Sequence, residues 1–266
     1  MSGFVIVVDM GNTSTTVGLA RAGRISGISH LPTRTTCRKD VTAVLTRLTR
    51  NRLITGAMLC SVVPQRNHLW LRELQAVSGR LPRMVHHRMK LGLRIEYPNP
   101  ASIGADRLAN ACGAAYRYGS PVIVADFGTA LTFDVVAKNA YMGGIIVPGL
   151  PLMTDYLAEK TALLPHLRLD RYHGIPRNLR AMPVIGKNTR QAMAIGARLG
   201  YLGMVREIFT RLQHTLKDRT VRLCATGGYS AWALAGCDLR VRIDPDLTLF
   251  GISRIYELNT SRENMA

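Results

Sequence analysis

Short apolar runs that stop at an aspartate set the pattern of this chain. Val5-Ile6-Val7-Val8 leads into Asp9-Met10-Gly11-Asn12, and Val122-Ile123-Val124-Ala125 leads into Asp126-Phe127-Gly128-Thr129. Runs of this length, rich in β-branched residues, predict buried strands, each ending in an Asp-x-Gly turn. Both are followed by alternating residues suited to a second strand, at 15–21 and 131–136, and then by turns at Ala22-Gly23-Arg24 and Lys138-Asn139. Each half therefore opens as strand, Asp-Gly turn, strand, turn, strand. Self-similarity at this spacing predicts two related lobes, residues 1–118 and 119–266.

The remaining periodicity alternates helix and strand, which predicts an α/β fold with a mixed sheet flanked by helices in each lobe. A helix is expected over 41–50, a strand over 57–63, and a helix opened by Pro64 and running to 77. A strand near 84–86 follows. The next helix starts at Ser102-Ile103-Gly104-Ala105-Asp106, with Ser102 as N-cap, and ends near 118. In the second half, helices are expected over 149–161, 188–213, 229–236 and 249–256, with a strand over 221–225. The Pro-, Arg- and Gly-rich stretch 165–183 predicts a loop.

Composition narrows the class. With 266 residues the chain can bury a substantial core. No apolar run approaches the roughly 18–20 residues that span a membrane. The start lacks a basic segment and a small-residue cleavage site, so it reads as a strand and not a signal peptide. Five cysteines, at 37, 60, 112, 224 and 237, form no Cys-x-x-Cys pair. That indicates neither a disulfide framework nor a zinc site, and a reducing cytoplasm is expected. The net charge of +18 is high and almost all arginine. The arginines are scattered along the chain, with no basic tail, which weighs against a nucleic-acid site. A basic surface would also attract a polyanion such as ATP.

The chemistry resides in the turns. A glycine beside an aspartate at a strand end lets backbone N–H groups approach an anion, while the carboxylate can hold a divalent metal. Asn12, Thr13 and Thr15 or Thr16 add donors. Two such turns facing each other would clamp a polyphosphate. A lone Asp-x-Gly is more often a simple turn; two in matching contexts carry weight. Ala225-Thr226-Gly227-Gly228, between a strand and a helix, suits either an adenosine platform or plain packing. In Gly104-Ala105-Asp106-Arg107, Asp106 fits a general base and Arg107 an anion partner. Taken alone, the four residues fit better a helix start with an exposed arginine. Gly143-Gly144-Ile145-Ile146-Val147-Pro148-Gly149 would admit a substrate or allow tight packing. Thr189 would cap a long helix or face a ligand. His86-His87 reads as a surface pair.

Taken in order, Asp9-Met-Gly-Asn-Thr13, Gly104-Ala-Asp-Arg107, Asp126-Phe-Gly-Thr-Ala130, the 143–149 glycine stretch, Gly186-Lys-Asn-Thr189, Ala225-Thr-Gly-Gly228 and Asp244-Pro-Asp-Leu-Thr-Leu249 resemble type III pantothenate kinases over nearly the whole chain. The resemblance implies the ribonuclease H-like, actin-like ATPase fold shared by acetate and sugar kinases and Hsp70. It implies phosphorylation of pantothenate with ATP and Mg2+, and a monovalent cation, K+ or NH4+. It also implies a homodimer whose substrate site lies at the subunit interface, with no membrane partner. By position, Asp9, Met10, Gly11, Asn12, Thr13, Ser14, Thr15, Thr16 and Thr129 would contact ATP. Asp106 would take the proton and Asp126 would hold the monovalent cation. Tyr97, Gly104, Ala105, Asp106, Arg107 and Thr189 would line the pantothenate site, Thr189 from the partner subunit. Thr16 stands where many members carry a lysine. The alternatives are a same-fold accessory protein with weak or no kinase activity, or a kinase of another small hydroxylated substrate.

Overall fold

The structure, a computed structural model, describes residues 3–169, 173–176 and 181–260. In chain order it begins with β1 (Phe4–Met10), β2 (Ser14–Arg21), β3 (Arg24–Pro32), α1 (Arg38–Thr49), β4 (Ile54–Ser61), α2 (Pro64–Ser78), β5 (Arg83–Met84), β6 (Arg94–Ile95) and α3 (Ala105–Tyr118). Next come β7 (Val122–Phe127), β8 (Ala130–Ala137), β9 (Ala140–Pro148), α4 (Leu150–Lys160), α5 (Thr189–Leu216), β10 (Arg222–Thr226), α6 (Ser230–Ala233), β11 (Val241–Ile243) and α7 (Leu247–Thr260). The chain forms two compact units. The first runs to Gly119 and regains Lys138–Gly143 and the segment from Asp246 onward; the second comprises Ser120–Ala137 and Gly144–Pro245.

The sheets of the two units repeat one topology. The first is ordered β3-β2-β1-β4-β5; the second, β6-β9-β8-β7-β10-β11, has the same order with β6 added beside β9. In each, the opening strand pairs antiparallel with its hairpin partner and parallel with the strand on its other side. The duplicated sequence pattern is thus a duplicated strand order. Hairpin tightness follows from local chemistry: Ala22 and Gly23, like Lys138 and Asn139, have positive φ, as two-residue hairpin turns require.

In the first unit, Ile6, Val8 and Met10 of β1, Val17 and Leu19 of β2, and Leu59 of β4 pack with Val41, Leu45, Trp70 and Leu74 from α1 and α2. The alternate side chains of the strands meet α3 and α7, which contact β4 and β1. Glycines admit that layer: a Cβ on Gly56 would lie 1.9 Å from the Tyr256 hydroxyl. The two helices also cross at glycines. A Cβ on Gly113 would come within 2.9 Å of the Leu247 carbonyl oxygen, and one on Gly251 within 1.9 Å of that of Ala109. Thr248 Oγ1 donates to buried Asn110 Oδ1 at 2.7 Å, and Arg117 pairs with Asp246 at 3.1 Å. In the second unit, Ile123, Ala125, Phe127 and Phe133 pack against Ala194, Tyr201, Val205 and Phe209 of α5.

Several boundaries depart from the pattern. Ser102 does not cap α3. It ends a 3-10 turn, Pro100–Ser102, where its hydroxyl donates to the Asn99 carbonyl at 2.7 Å, and Gly104 is the N-cap instead. α1 starts ahead of the expected 41 because Asp40 accepts the Cys37 N–H at 2.8 Å. α6 is a single turn, stopped where Arg198 takes the carbonyls of Trp232, Ala233 and Ala235. β6 and β11 are too short to show a period. The predicted loop 165–183 has no α-helix or strand among its described residues; 170–172 and 177–180 lie outside them. Among the described residues no helix is long and apolar enough to cross a membrane.

Gly251→Ala should destabilise the protein by about 1–3 kcal/mol, since the added methyl has no room at the helix crossing. Urea denaturation checks this; an unchanged midpoint would show that the crossing relaxes freely.

Candidate active site

The first Asp-x-Gly turn spans the end of β1 and the start of β2. Asp9 lies opposite Thr16, and Met10 opposite Thr15. Directly opposed residues share a sheet face, so Asp9 and Thr16 point to the α3/α7 side. Met10 and Thr15 point into the core, where both are fully buried. At these two positions the side chains are withdrawn from any ligand. Gly11 N donates to Ser14 O at 3.1 Å, so this N–H is used within the turn. Asn12, Thr13 and Ser14 form its exposed tip. Thr16 Oγ1 lies 3.1 Å from His30 Nδ1 on the adjoining strand β3. Thr16 is thus paired with an exposed imidazole.

Two residues that the pattern did not mark hold this turn. Thr33 Oγ1 donates to the Gly11 carbonyl at 2.7 Å, so the 2.8 Å contact between the Thr15 and Thr33 hydroxyls is donated by Thr15. Thr33 N donates to Thr13 O at 2.9 Å. Arg66, from α2, spreads its guanidinium over the carbonyls of Thr33, Arg34 and Thr36. Its isolated position in the sequence gave no signal of this role.

The second turn is held by backbone instead. Gly128 N donates to Ala130 O at 3.1 Å, and Gly149 N to Thr129 O at 3.1 Å. A Cβ on Gly149 would sit 2.2 Å from Thr129 O, which resolves that glycine as a packing residue. On the other side Gly227, with φ +87°, lies against Asp126; a Cβ there would meet Asp126 Oδ1 at 2.5 Å. Asp126 is half-buried at the end of β7, opposite Thr226 of β10. Tyr201 of α5 is buried beside it: burial pushes its phenol upward, and the Asp126 charge adds to that.

Asp106 and Arg107 lie in the first turn of α3. Asp106 Oδ1 accepts Arg107 N at 2.8 Å. Gly104 leaves room for that carboxylate, since a Cβ there would be 2.5 Å from Oδ1. Burial raises the Asp106 carboxyl above its ordinary value, outweighing the lowering by the Arg107 N–H and guanidinium. Arg107 is only 8% exposed, with its guanidinium carbon 5.9 Å from the ring centroid of buried Tyr141. Tyr97 lies 6.2 Å from the same ring and packs on Gly143, whose φ is +107°. Tyr141 thereby gathers Tyr97 and Arg107 into one cluster, and no sequence signal marked it. Thr189 is exposed as the first residue of α5, in the second unit. The cap is Asn188, whose Oδ1 accepts Gln191 N at 2.9 Å. Among the described residues no group of three acidic, His or Cys side chains could hold a metal ion.

Two copies of a β-sheet with one strand order, each starting in an Asp-x-Gly turn, are the core of the actin-like ATPase and sugar kinase class. A ROK family glucokinase from Streptomyces griseus, solved with glucose and AMPPNP, shares this fold. It covers 95% of this chain and 99% of its own at TM-score 0.52 and 15% identity. The family model for type III pantothenate kinase matches residues 5–211. A type III pantothenate kinase from Methylacidiphilum infernorum is 38% identical, covering 97% of this chain and 90% of the relative. One from Akkermansia muciniphila is 42% identical over 77% of this chain and 79% of the relative. The chain belongs to the type III pantothenate kinase family.

Two outcomes follow from the geometry. Asp106→Asn keeps the acceptor for Arg107 N and removes a charge that burial disfavours. Because the folded carboxyl titrates above its unfolded value, the wild type loses stability as pH rises through that window. The Asn variant should therefore melt higher at neutral pH, and the two should converge below the ordinary carboxylate range. Thermal melts across pH check this; a lower melting point at pH 7 would refute it. Thr33→Val should cost about 1–3 kcal/mol by orphaning the Thr15 hydroxyl and the Gly11 carbonyl. Thr33→Ser should restore most of it in the same denaturation assay.

Proposed function

We propose that this protein transfers the γ-phosphoryl group of ATP to the hydroxyl of pantothenate, giving 4'-phosphopantothenate in the first step of coenzyme A synthesis. The observation that carries the reading is the desolvated Asp106 beside buried Arg107, in a chain that belongs to this kinase family. Phosphoryl transfer needs alignment and charge stabilisation more than covalent help. Asp106 is the base that accepts the hydroxyl proton, and its raised affinity for a proton suits that task. Arg107 holds the pantothenate carboxylate or offsets charge on the transferring group. The Tyr97–Tyr141 pair limits where the Arg107 guanidinium can lie, which favours one substrate pose.

For ATP, the exposed donors of Asn12, Thr13 and Ser14, with Thr16 and the second-turn Thr129, contact the phosphates. The contributions of Met10, Gly11 and Thr15 are through the shape of the backbone. Asp9 is the protein ligand suited to Mg2+, which takes few carboxylates and keeps phosphate and water oxygens. Asp126 is the site for K+ or NH4+; the missing Cβ at Gly227 leaves backbone close to its carboxylate. A homodimer is supported by exposed apolar side chains on and before the helices of the second unit: Leu152, Tyr156, Val184 and Ile185. Thr189 lies four residues after Ile185 and completes the partner's pantothenate site. The protein acts in the cytoplasm.

ADP release measured with and without pantothenate, in potassium and then sodium buffer, tests the reading. Turnover should require both pantothenate and potassium; pantothenate-independent release would overturn it. Asp106→Asn should lower turnover by roughly 100-fold or more. Since that variant is expected to be no less stable, the loss would not reflect misfolding.

A further inference from the structure

The excess of positive charge is unevenly distributed. Between residues 10 and 105 there are fifteen lysines and arginines against three acids, so this stretch holds twelve of the eighteen excess charges. The three acids are occupied locally: Asp40 accepts the Cys37 N–H, buried Glu73 accepts from Arg38 and Thr42, and Glu96 pairs with Arg94.

The fold brings together five arginines from this stretch. Arg21 and Arg24 stand directly opposite each other across the β2–β3 turn. Arg21 and Arg52 both lie over the Phe4 ring, at 5.1 and 5.7 Å. Arg47 donates to Ser29 Oγ of β3 at 2.9 Å, and Arg50 caps the C-terminus of α1 two residues before Arg52. All five are exposed, and among the described residues none is in an ion pair. They surround the edge strand β3 and the end of α1. The α1 dipole favours Arg47 and Arg50, but it does not account for Arg21 facing Arg24, where like charges directly opposed are destabilising. An anion bound between them would remove that repulsion.

We propose that this face docks, independently of sequence, on the phosphate backbone of a nucleic-acid duplex. The arginine fork suits bidentate phosphate contact. The one aromatic ring in the cluster is already covered by two guanidiniums, so phosphate contact is favoured over base stacking. Charges spread over a hairpin tip and a helix end need an extended polyanion. Two separate exposed apolar residues, Ile28 and Leu53, do not make a membrane-inserting face. The arginines are scattered along the sequence, and only the fold shows them to be neighbours.

Anisotropy of labelled duplexes of roughly 20 base pairs, one DNA and one RNA, tests this across a salt series. Binding of either duplex should weaken with salt with a log–log slope of roughly −4. Arg21→Ala with Arg24→Ala should shift that slope by about 2 and weaken binding at least about 10-fold. Kinase turnover should be unchanged, which excludes misfolding. Arg80→Ala with Arg219→Ala, exposed and of equal charge loss, should leave binding near wild type. No duplex binding at low salt would overturn the proposal. So would equal loss in both double variants, which would mean diffuse charge alone. Tighter binding to phosphatidylglycerol vesicles than to either duplex would assign the face to membranes and overturn it as well.

Discussion

The position of the proposed base depends on how closely α3 can approach α7. Gly113 and Gly251 let the two backbones meet at a separation that a single methyl group would forbid. Asn110–Thr248 and Arg117–Asp246 then fix rotation and slide along the crossing. With α3 held this way, its first turn is fixed too, and Asp106 is carried into a partly buried site. Helix dipole, the Arg107 N–H and the Arg107 charge all favour its ionised form, yet desolvation dominates. A carboxylate whose proton affinity is raised by its surroundings is a stronger base than an ordinary one. The close crossing is therefore part of the chemistry as well as of the core.

The two Asp-x-Gly turns started from one pattern and are now held by different physics. Side-chain hydrogen bonds from Thr33, themselves anchored by Arg66, support the first. The second is clasped by backbone, with Gly149 below and Gly227 beside Asp126. The difference has consequences for tolerance. A hydroxyl support can be kept by another hydroxyl residue, whereas at Gly149 and Gly227 any Cβ collides with main chain that cannot yield. One turn can thus drift by substitution while the other cannot.

How much of this was legible in the sequence follows from the range of each interaction. The strands, the hairpins and the repeated Asp-x-Gly turns are local patterns, and the duplicated sheet order follows from them. α2 and α7 were found through Pro64 and apolar periodicity. The Ser102 cap failed because a serine signals a helix start without specifying which of two successive turns it closes; here it closes the 3-10 turn. Thr33, Arg66 and Tyr141 were invisible because each acts on residues far away in the chain. Conversely, Met10 and Thr15 fell within a motif, but strand alternation turns their side chains to the core. The motif locates the turn; the pleat decides which of its side chains can reach a ligand.

The same distinction governs the charge. Read linearly, the arginines look diffuse, since Arg21 and Arg24 are far in sequence from Arg47, Arg50 and Arg52. The antiparallel β2–β3 hairpin, the Arg47–Ser29 contact between α1 and β3, and the seating of Arg21 and Arg52 on Phe4 make them neighbours. Their three nearby acids in sequence do not neutralise them, because each is committed to a cap, a buried pair or a separate pair. Net charge alone cannot distinguish a solvated basic surface from a concentrated one. What distinguishes them is whether like charges are placed in opposition without a local anion. Arg21 and Arg24 are placed in opposition with no acidic partner among the described residues, although Arg21 lies over Phe4, and that arrangement costs stability unless something anionic shares it.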